Sequence, residues 1–476
     1  MTPKLQEVKH VHRNVVVEKV EKGERGEKVE RWSVWNRFSF TELDKFDAFW
    51  ELLEDGVVVA KGDLRLPNAA PQTKIEVELP AAVRAYAKKP GCEYFVNVSF
   101  VLKTDELWAK KGHVVAHDQL KVEGGSQVKT ADRKSSSVVV RKGADGIVVT
   151  AGPTTAEFAK ETGTLRRLVM NGKPVLTDSA DGVVRGPRLT CMRAFTDNDI
   201  WLRKARWGKQ NNFYESGLSQ LRYHVRELKA EGASVRSVVE VNGAKSAGFT
   251  HVAVYSFTDD GAMTVRNEVT PYGRMPPALP RLGLSLMLDE RLESMAWYGR
   301  GPWENYVDRC RGAFMGYWQS TVTEQYVPYV RPQDNGYKCG VVWAAFTDAA
   351  GDGVLVKGSE PLFVQALHYS CEDLEFARHR DKQERIWNMK PPRREVCLNL
   401  DLRQLGLGGA SCGPRPEDQY IFPIQSESWT MTFAPCRAGT ESLLPQARAL
   451  EVRADAVQGN GVKVKTEKAA QGEALL

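Results

Sequence analysis

Apolar and polar residues that alternate with a period of two, a scarcity of helical periodicity, and twelve tryptophans together predict an all-β protein. The chain has 476 residues, too many for one ordinary core, so more than one domain is expected. Its composition, 42% hydrophobic and 26% charged, is that of soluble globular material. The net charge of +6 is weak over this length, and no basic run marks a nucleic-acid surface. The tryptophans suit thick β-sandwich cores, and they also suit the flat C–H faces of sugar rings.

The valines at 15–17 open the strand pattern. In RWSVWNRFSF, Trp32, Val34, Phe38 and Phe40 fall on one face. Phe46, Ala48, Trp50 and Leu52 alternate likewise, and Asp55-Gly56 then turns the chain into VVVA, a hairpin signal. Ile75, Val77 and Leu79 follow, then Tyr94, Val96, Val98, Phe100 and Leu102. Six or seven short strands within 1–122 predict an immunoglobulin-like β-sandwich. The polar stretch EGGSQVKTADRKSSS, 123–137, reads as a linker. Residues 138–437 continue as turn-linked strands such as HVAVYSFTDDGAMTVRNEV. That length exceeds one small sandwich and predicts a wide antiparallel sandwich of two sheets. One helix is expected at SCEDLEFARHRDK, with Ser370 as cap, Asp373 at the capping-box position and His379 at the end, where the helix dipole favours an imidazolium. The polar residues 438–476 are expected to be largely disordered.

The eight cysteines, at 92, 191, 310, 339, 371, 397, 412 and 436, form no CxxC pair, so a zinc site lacks spacing support. The N-terminus MTPKLQEVKH has no apolar signal-peptide core, and no stretch approaches the roughly 18–20 apolar residues of a membrane span. The expected setting is a reducing, cytoplasmic one, with free thiols and with neither nucleic acid nor membrane as partner.

Candidate chemistry concentrates in WYGRGPWENYVDR, 297–309. Glu304 and Asp308 could form an acid/base pair, but glycosidic carboxylate pairs need a defined separation across the scissile bond, which sequence proximity does not give. The structural reading is preferred. Asn305 and Asp308 bond loop backbone, Arg300 and Arg309 offer forked donors, and Trp297, Tyr298, Trp303 and Tyr306 close over a core. In RAFTDNDIW, Asp197, Asn198 and Asp199 lack the remaining ligands of a calcium loop and read as an Asx-tied turn. His368, near Cys371, Asp373 and His379, reads as flanking a capped helix rather than ligating a metal; a His and a Glu together would be the acid/base pair for sugar ring opening. GLGGASCGPRPEDQY, 406–420, has no phosphate-loop lysine, and Cys412 has no histidine neighbour in sequence, so it reads as a buried or loop-tip thiol.

Taken together, the motifs resemble the C-terminal half of a glycoside hydrolase family 2 β-galactosidase. WYGRGPWENYVDR resembles the GRGPxENYxDR signature. YVPYVRPQDNGYKCGVVW resembles PYxxPQENGxxxxxRW, with Asp334 in place of Glu and Val342 in place of Arg. RAFTDND resembles RAPTDND, with Phe195 in place of proline. LHYSCEDLEFARH, GLGGASCGP, LQEVKHVHRNVVV and FSFTELDKFDAFWELLEDGVVVAKG also have counterparts, in family order, from residue 4 to about 437.

The resemblance implies a super-sandwich similar to galactose mutarotase after the immunoglobulin-like domain. It also implies that the 406–414 loop reaches the rim of an active site on a separate barrel. In well-known members that loop carries a tryptophan as a sugar platform. Here Cys412 stands near its place, and Cys412, Ser411 and Trp303 are the candidate substrate contacts. The catalytic glutamates belong to a (β/α)8 barrel of about 250 residues, which is not expected in this chain. The family's Mg and Na sites are expected in the barrel, leaving no cofactor here. The implied function is the non-catalytic portion or small subunit of a retaining β-galactosidase acting on terminal β-D-galactosides such as lactose, with the barrel chain and galactoside as partners and with oligomerisation open. The rivals are a stand-alone carbohydrate-binding protein using Trp303 and an aldose 1-epimerase-like enzyme.

Overall fold

The structure, a computed structural model, describes residues 2–20, 31–124, 135–177, 181–203, 212–377, 379–381, 386–387, 389–439, 443–450 and 452. Two compact units emerge. The first holds 1–129, 298–303 and 309–318; the second holds 130–297, 304–308 and 319–476.

The first unit begins with helix α1 (Pro3–Val11), followed by β1 (Val15–Val20), β2 (Arg31–Asn36), β3 (Phe46–Glu54), β4 (Val57–Asp63), β5 (Lys74–Glu78), the short α2 (Ala81–Ala85), β6 (Tyr94–Leu102) and β7 (Val114–Val122). Strands β1-β2-β5 form one sheet and β4-β3-β6-β7 another. Their inward residues, among them Val15, Trp32, Val34, Trp50, Tyr94, Val98 and Phe100, share one core, the immunoglobulin-like sandwich expected of this segment. At the β3–β4 turn, Asp55 and Gly56 both take positive φ, 46° and 84°, as a tight primed hairpin turn requires.

Two sequence expectations fail here. Strand β2 stops at Asn36, so Phe40 is 96% exposed instead of facing the core. The cause is Asn36, whose buried amide donates to the carbonyls of Thr41 and Ala69, both at 2.9 Å, and accepts from the Phe38 amide. Helix α1 was also not expected; Pro3 starts it, in the first turn where a missing N–H costs nothing.

The second unit opens with a meander of five antiparallel strands: β8 (Val139–Lys142), β9 (Gly146–Ala151), β10 (Thr154–Ala159), β11 (Thr164–Met170) and β12 (Lys173–Thr177). It continues with β13 (Arg188–Thr190), α3 (Ile200–Arg203), α4 (Phe213–Ser216), β14 (Arg222–Glu231), β15 (Ser234–Asn242), β16 (Gly248–Phe257), β17 (Met263–Tyr272) and β18 (Arg281–Leu288). Strands β19 (Ser294–Gly301) and β20 (Phe314–Thr321) divide their residues between the two units. Then come β21 (Lys338–Thr347), β22 (Asp352–Leu367), α5 (Cys371–Glu375), the short pair β23 (His379–Asp381) and β24 (Ile386–Trp387), β25 (Val396–Gln404), β26 (Glu427–Arg437) and α6 (Leu444–Ala449).

The large sheet runs β13-β18-β25-β22-β26-β17-β16-β15-β14. Phe158 of the five-stranded sheet meets Tyr255 and Phe257 of β16 edge to face, which lays one sheet on the other. The large sheet also curls until its two terminal strands meet. Tyr223 on β14 donates to the Leu189 carbonyl on β13 at 2.9 Å, and the Arg188 guanidinium lies 3.5 Å from the centre of the Tyr223 ring.

Helix α5 has the capping box expected of Ser370 and Asp373 but ends at Glu375, so His379 does not close it and instead opens β23. Glu375 is drawn sideways, accepting from the Phe195 amide at 2.7 Å and the Tyr214 hydroxyl at 2.6 Å. Most of the expected linker, 125–134, lies outside the described residues. The stretch expected to be disordered carries α6, where Leu443, Leu444, Ala447 and Leu450 are buried. Their helical spacing gives a core face that the averaged polarity of 438–476 hides. Lys357 supports this helix by donating to the carbonyls of Ala447 and Leu450 at 3.0 and 2.9 Å. Residues 453–476 lie outside the described residues. No helix among the described residues is long and apolar enough to cross a membrane.

Candidate functional site

After β25 ends at Gln404, the chain enters the glycine-rich segment singled out by sequence. Its base is held by Arg193, which is 1% exposed and donates to the carbonyls of Leu405 (2.8 Å) and Gly406 (3.2 Å). The rest of that guanidinium is taken by Asp199, at 2.6 and 3.2 Å. Asp199 in turn accepts from the Thr196 amide and hydroxyl. With so many partners, each buried charge is compensated.

Further up the loop, the Asp308 carboxylate accepts from the Gly408 amide at 2.8 Å. A Cβ on Gly406 would stand 2.8 Å from that same carboxylate, and Gly408 has φ +60°, so glycine is required at both positions. Asn198 clamps the upper turn with both ends of its amide. Its Nδ2 donates to the Gly408 carbonyl at 2.6 Å, and its Oδ1 accepts from the Ser411 amide at 3.2 Å. Within the loop, the amides of Cys412 and Gly413 both donate to the Gly409 carbonyl.

The backbone is thus fixed at three points while its tip stays open. Ser411 and Cys412 are both exposed, and Cys412 carries a free thiol. The tip can offer a hydroxyl and a thiol to a polar ligand but has no ring to stack on one. Neighbouring loops join the same end: Arg331 pairs with Asp197, one residue from the Asn198 clamp, and Arg415 lies 5.9 Å from the Trp201 ring.

Glu304 and Asp308 are both engaged with backbone. Asp308 holds Gly408, while Glu304, 3% exposed, accepts from the Gly336 amide at 2.8 Å and from the Tyr329 hydroxyl. Asn305 donates its amide to the Tyr337 carbonyl and accepts from the Cys339 amide, both at 2.8 Å. Tyr306 donates to Asp334 at 2.7 Å, Gln365 donates to the other Asp334 oxygen, and Asn399 donates to Gln365. Deeper still, Arg281 and Asp401 pair at 3.0 Å, and Tyr337 donates to Asp401. Burial pushes the Asp334 and Asp401 carboxyls up to about 6 and draws the Lys338 ammonium down to about 8. ENYVD and PQDNGY therefore form one polar scaffold beneath the loop.

Trp303 is half-buried and belongs to the first unit, whereas Ser411 and Cys412 belong to the second. His368 is tied to the Glu395 carbonyl and the Glu293 carboxylate at 3.1 and 2.8 Å. Among the described residues, no group of three or more His, Cys, Asp or Glu side chains is placed to hold a metal ion. Sequence reasoning did not anticipate the clamping roles of Arg193 and Asn198. The RAFTDND motif was the available signal, but it named a turn and not what the turn holds.

Comparison with known proteins gives a consistent account. A curated β-galactosidase of Priestia megaterium is 28% identical over 433 residues, covering 91% of this chain and 39% of its own length. One from Halalkalibacterium halodurans is 29% identical over 442 residues, covering 90% of this chain and 40% of its own. The chain thus spans about two fifths of the length of these relatives. A solved putative aldose 1-epimerase from Escherichia coli covers 63% of this chain and 99% of its own, at 12% identity and a TM-score of 0.36, a likeness too slight to bear on the site. The family described as "Beta-galactosidase, domain 4" matches residues 32–123. "Beta galactosidase small chain" matches 150–434, the segment that holds the pinned loop and the scaffold beneath it. By that match, which spans more than half of the sequence, the chain belongs to the β-galactosidase small-chain family.

Proposed function

We propose that this chain is the non-catalytic portion, or small subunit, of a retaining β-galactosidase acting on terminal β-D-galactosides such as lactose. In this role it completes the active-site rim of a barrel carried by another polypeptide or another part of a longer one. The pinned loop is the observation that carries the reading. Its backbone is fixed by Arg193, Asn198 and Asp308, and its exposed tip offers Ser411 and Cys412. Such a loop positions a sugar without performing proton transfer: the Ser411 hydroxyl donates to and accepts from galactose hydroxyls, and the Cys412 thiol adds a weak donor.

The general acid and the nucleophile are assigned to the barrel, because Glu304 and Asp308 are committed to loop amides. The Mg and Na ions of the family belong to the barrel in this reading as well. The eight free thiols accord with a reducing, cytoplasmic setting.

The test is hydrolysis of a chromogenic β-galactoside by this chain alone, by a separately produced barrel chain, and by the two mixed. Activity in the mixture alone is expected. Turnover by this chain alone would overturn the assignment of the carboxylates, and silence of the mixture would overturn the subunit reading.

A further inference from the structure

Helix α1 is turned inside out. An ordinary surface helix hides its apolar stripe and shows its polar face. Here Leu5, Val8 and Val11, spaced every three residues, are 53%, 50% and 47% exposed, while His10 is buried. The polar face is the one that is held. Glu7 accepts from the amides of Arg311 and Gly312, both at 2.9 Å, and the His10 ring stacks on His117 at 5.5 Å.

The exposed stripe borders a groove of about 580 Å³ within the first unit. Val8, Phe38, Phe46, Leu102, Trp108 and Val115 supply its apolar walls. Trp108 is 66% exposed on its lip, and Leu107 beside it is fully exposed. A lip carrying an open tryptophan next to an outward apolar helix face is the composition of a binding surface.

The charge at the groove has one sign. Lys45 is neutralised by Glu106 at 3.0 Å, and Arg13 by Asp118 at 2.6 Å. Lys9 lines the groove with no carboxylate paired to it among the described residues, and the His12 and His113 imidazoles beside it can donate hydrogen bonds. The complementary occupant is an apolar segment flanked by carboxylates. Such a segment has a source, because the curated relatives extend well beyond the 39–40% of their length that this chain spans.

We propose that this groove and the outward face of α1 seat the barrel-bearing polypeptide, which inserts apolar side chains beside Trp108 and places carboxylates near Lys9 and His12. The assignment rests on the subunit reading above.

The full chain is titrated into a fixed amount of the barrel chain, with galactoside hydrolysis as readout, for the wild type and for Val8→Asp, Trp108→Ser and Trp108→Phe. A Val58→Asp variant, on the exposed strand β4 away from the groove, serves as control. Val8→Asp and Trp108→Ser are expected to raise the half-saturating concentration about tenfold or more, with the plateau rate unchanged, and Trp108→Phe to restore most of the loss. Higher salt should raise the same concentration for the wild type. No shift in the groove variants while the wild type complements would overturn the groove assignment alone, as would an equal shift in Val58→Asp. Silence of the wild type would overturn the subunit reading and the groove assignment together. Sedimentation of the chain by itself adds a further arm, and a dimer abolished by Trp108→Ser would give the groove to a second copy and overturn the proposal.

Discussion

Asn198 shows how one amide can organise a loop, because it serves two backbone groups three residues apart. Asn198→Ala should cost about 1 kcal/mol of stability and speed hydrogen exchange at the Ser411 amide, with other amides unchanged. Arg193→Met leaves Asp199 buried without its cation and should cost about 3–5 kcal/mol, measured by urea unfolding. At the tip, a maleimide should label Cys412 before the seven other cysteines, all buried or half-buried, and the adduct should raise KM in the reconstituted enzyme while leaving Tm unchanged. The role of Asp308 as an acceptor for loop backbone was readable from sequence, since short carboxylates favour such bonds. Its partner Gly408, one hundred positions later, was not, because no local pattern records a contact across that separation.

Among the elements, the strands of the first unit were legible where the buried and exposed faces differ, as in Tyr94, Val96, Val98, Phe100 and Leu102 of β6, all buried. Strand order was not. Period-two alternation tells which way a side chain points but not which strand lies alongside, so nothing in the sequence places β22 between β25 and β26. Helix α1 was missed for a related reason: its apolar stripe faces outward and resembles neither a core helix nor a loop. Within the second unit, Phe158→Ala would open a cavity against Tyr255 and Phe257 and should cost about 3–5 kcal/mol, read from the shift in urea midpoint at constant slope.

At the scale of the whole molecule, the two units should differ in their response to acid. In the first, His10 and His117 are held at about 3 and about 4, chiefly by burial, with Arg13 and Lys9 among the nearby cations that add to it. An unfolded histidine takes its proton near 6.5, so between about pH 6.5 and 4 the unfolded state binds more protons and this unit loses stability as pH falls. In the second, burial raises Asp334 and Asp401 to about 6, above the unfolded value near 3.9. There the folded state binds more protons across about pH 6 to 4, and these two groups add stability as pH falls, against His251, which burial holds at about 4 and which acts as the first unit's histidines do. Calorimetry at pH 7.5 and pH 5 should show the first unit's transition moving down relative to the second's, and His117→Gln should reduce the shift. The curl of the large sheet has a separate consequence for the life of the chain in solution. At the borders of that sheet, β13 is three residues long and meets β14 through Tyr223, while β14 carries Arg222, Arg226, Glu227, Lys229 and Glu231 along its length, so neither border is an uninterrupted apolar template for another chain. Strand β4 of the first unit borders its sheet and leaves Val57, Val58 and Val59 partly bare, with Lys61 and Asp63 the charges that interrupt it. On prolonged heating or storage, fibrillar growth should therefore nucleate at β4 and spare the curled sheet.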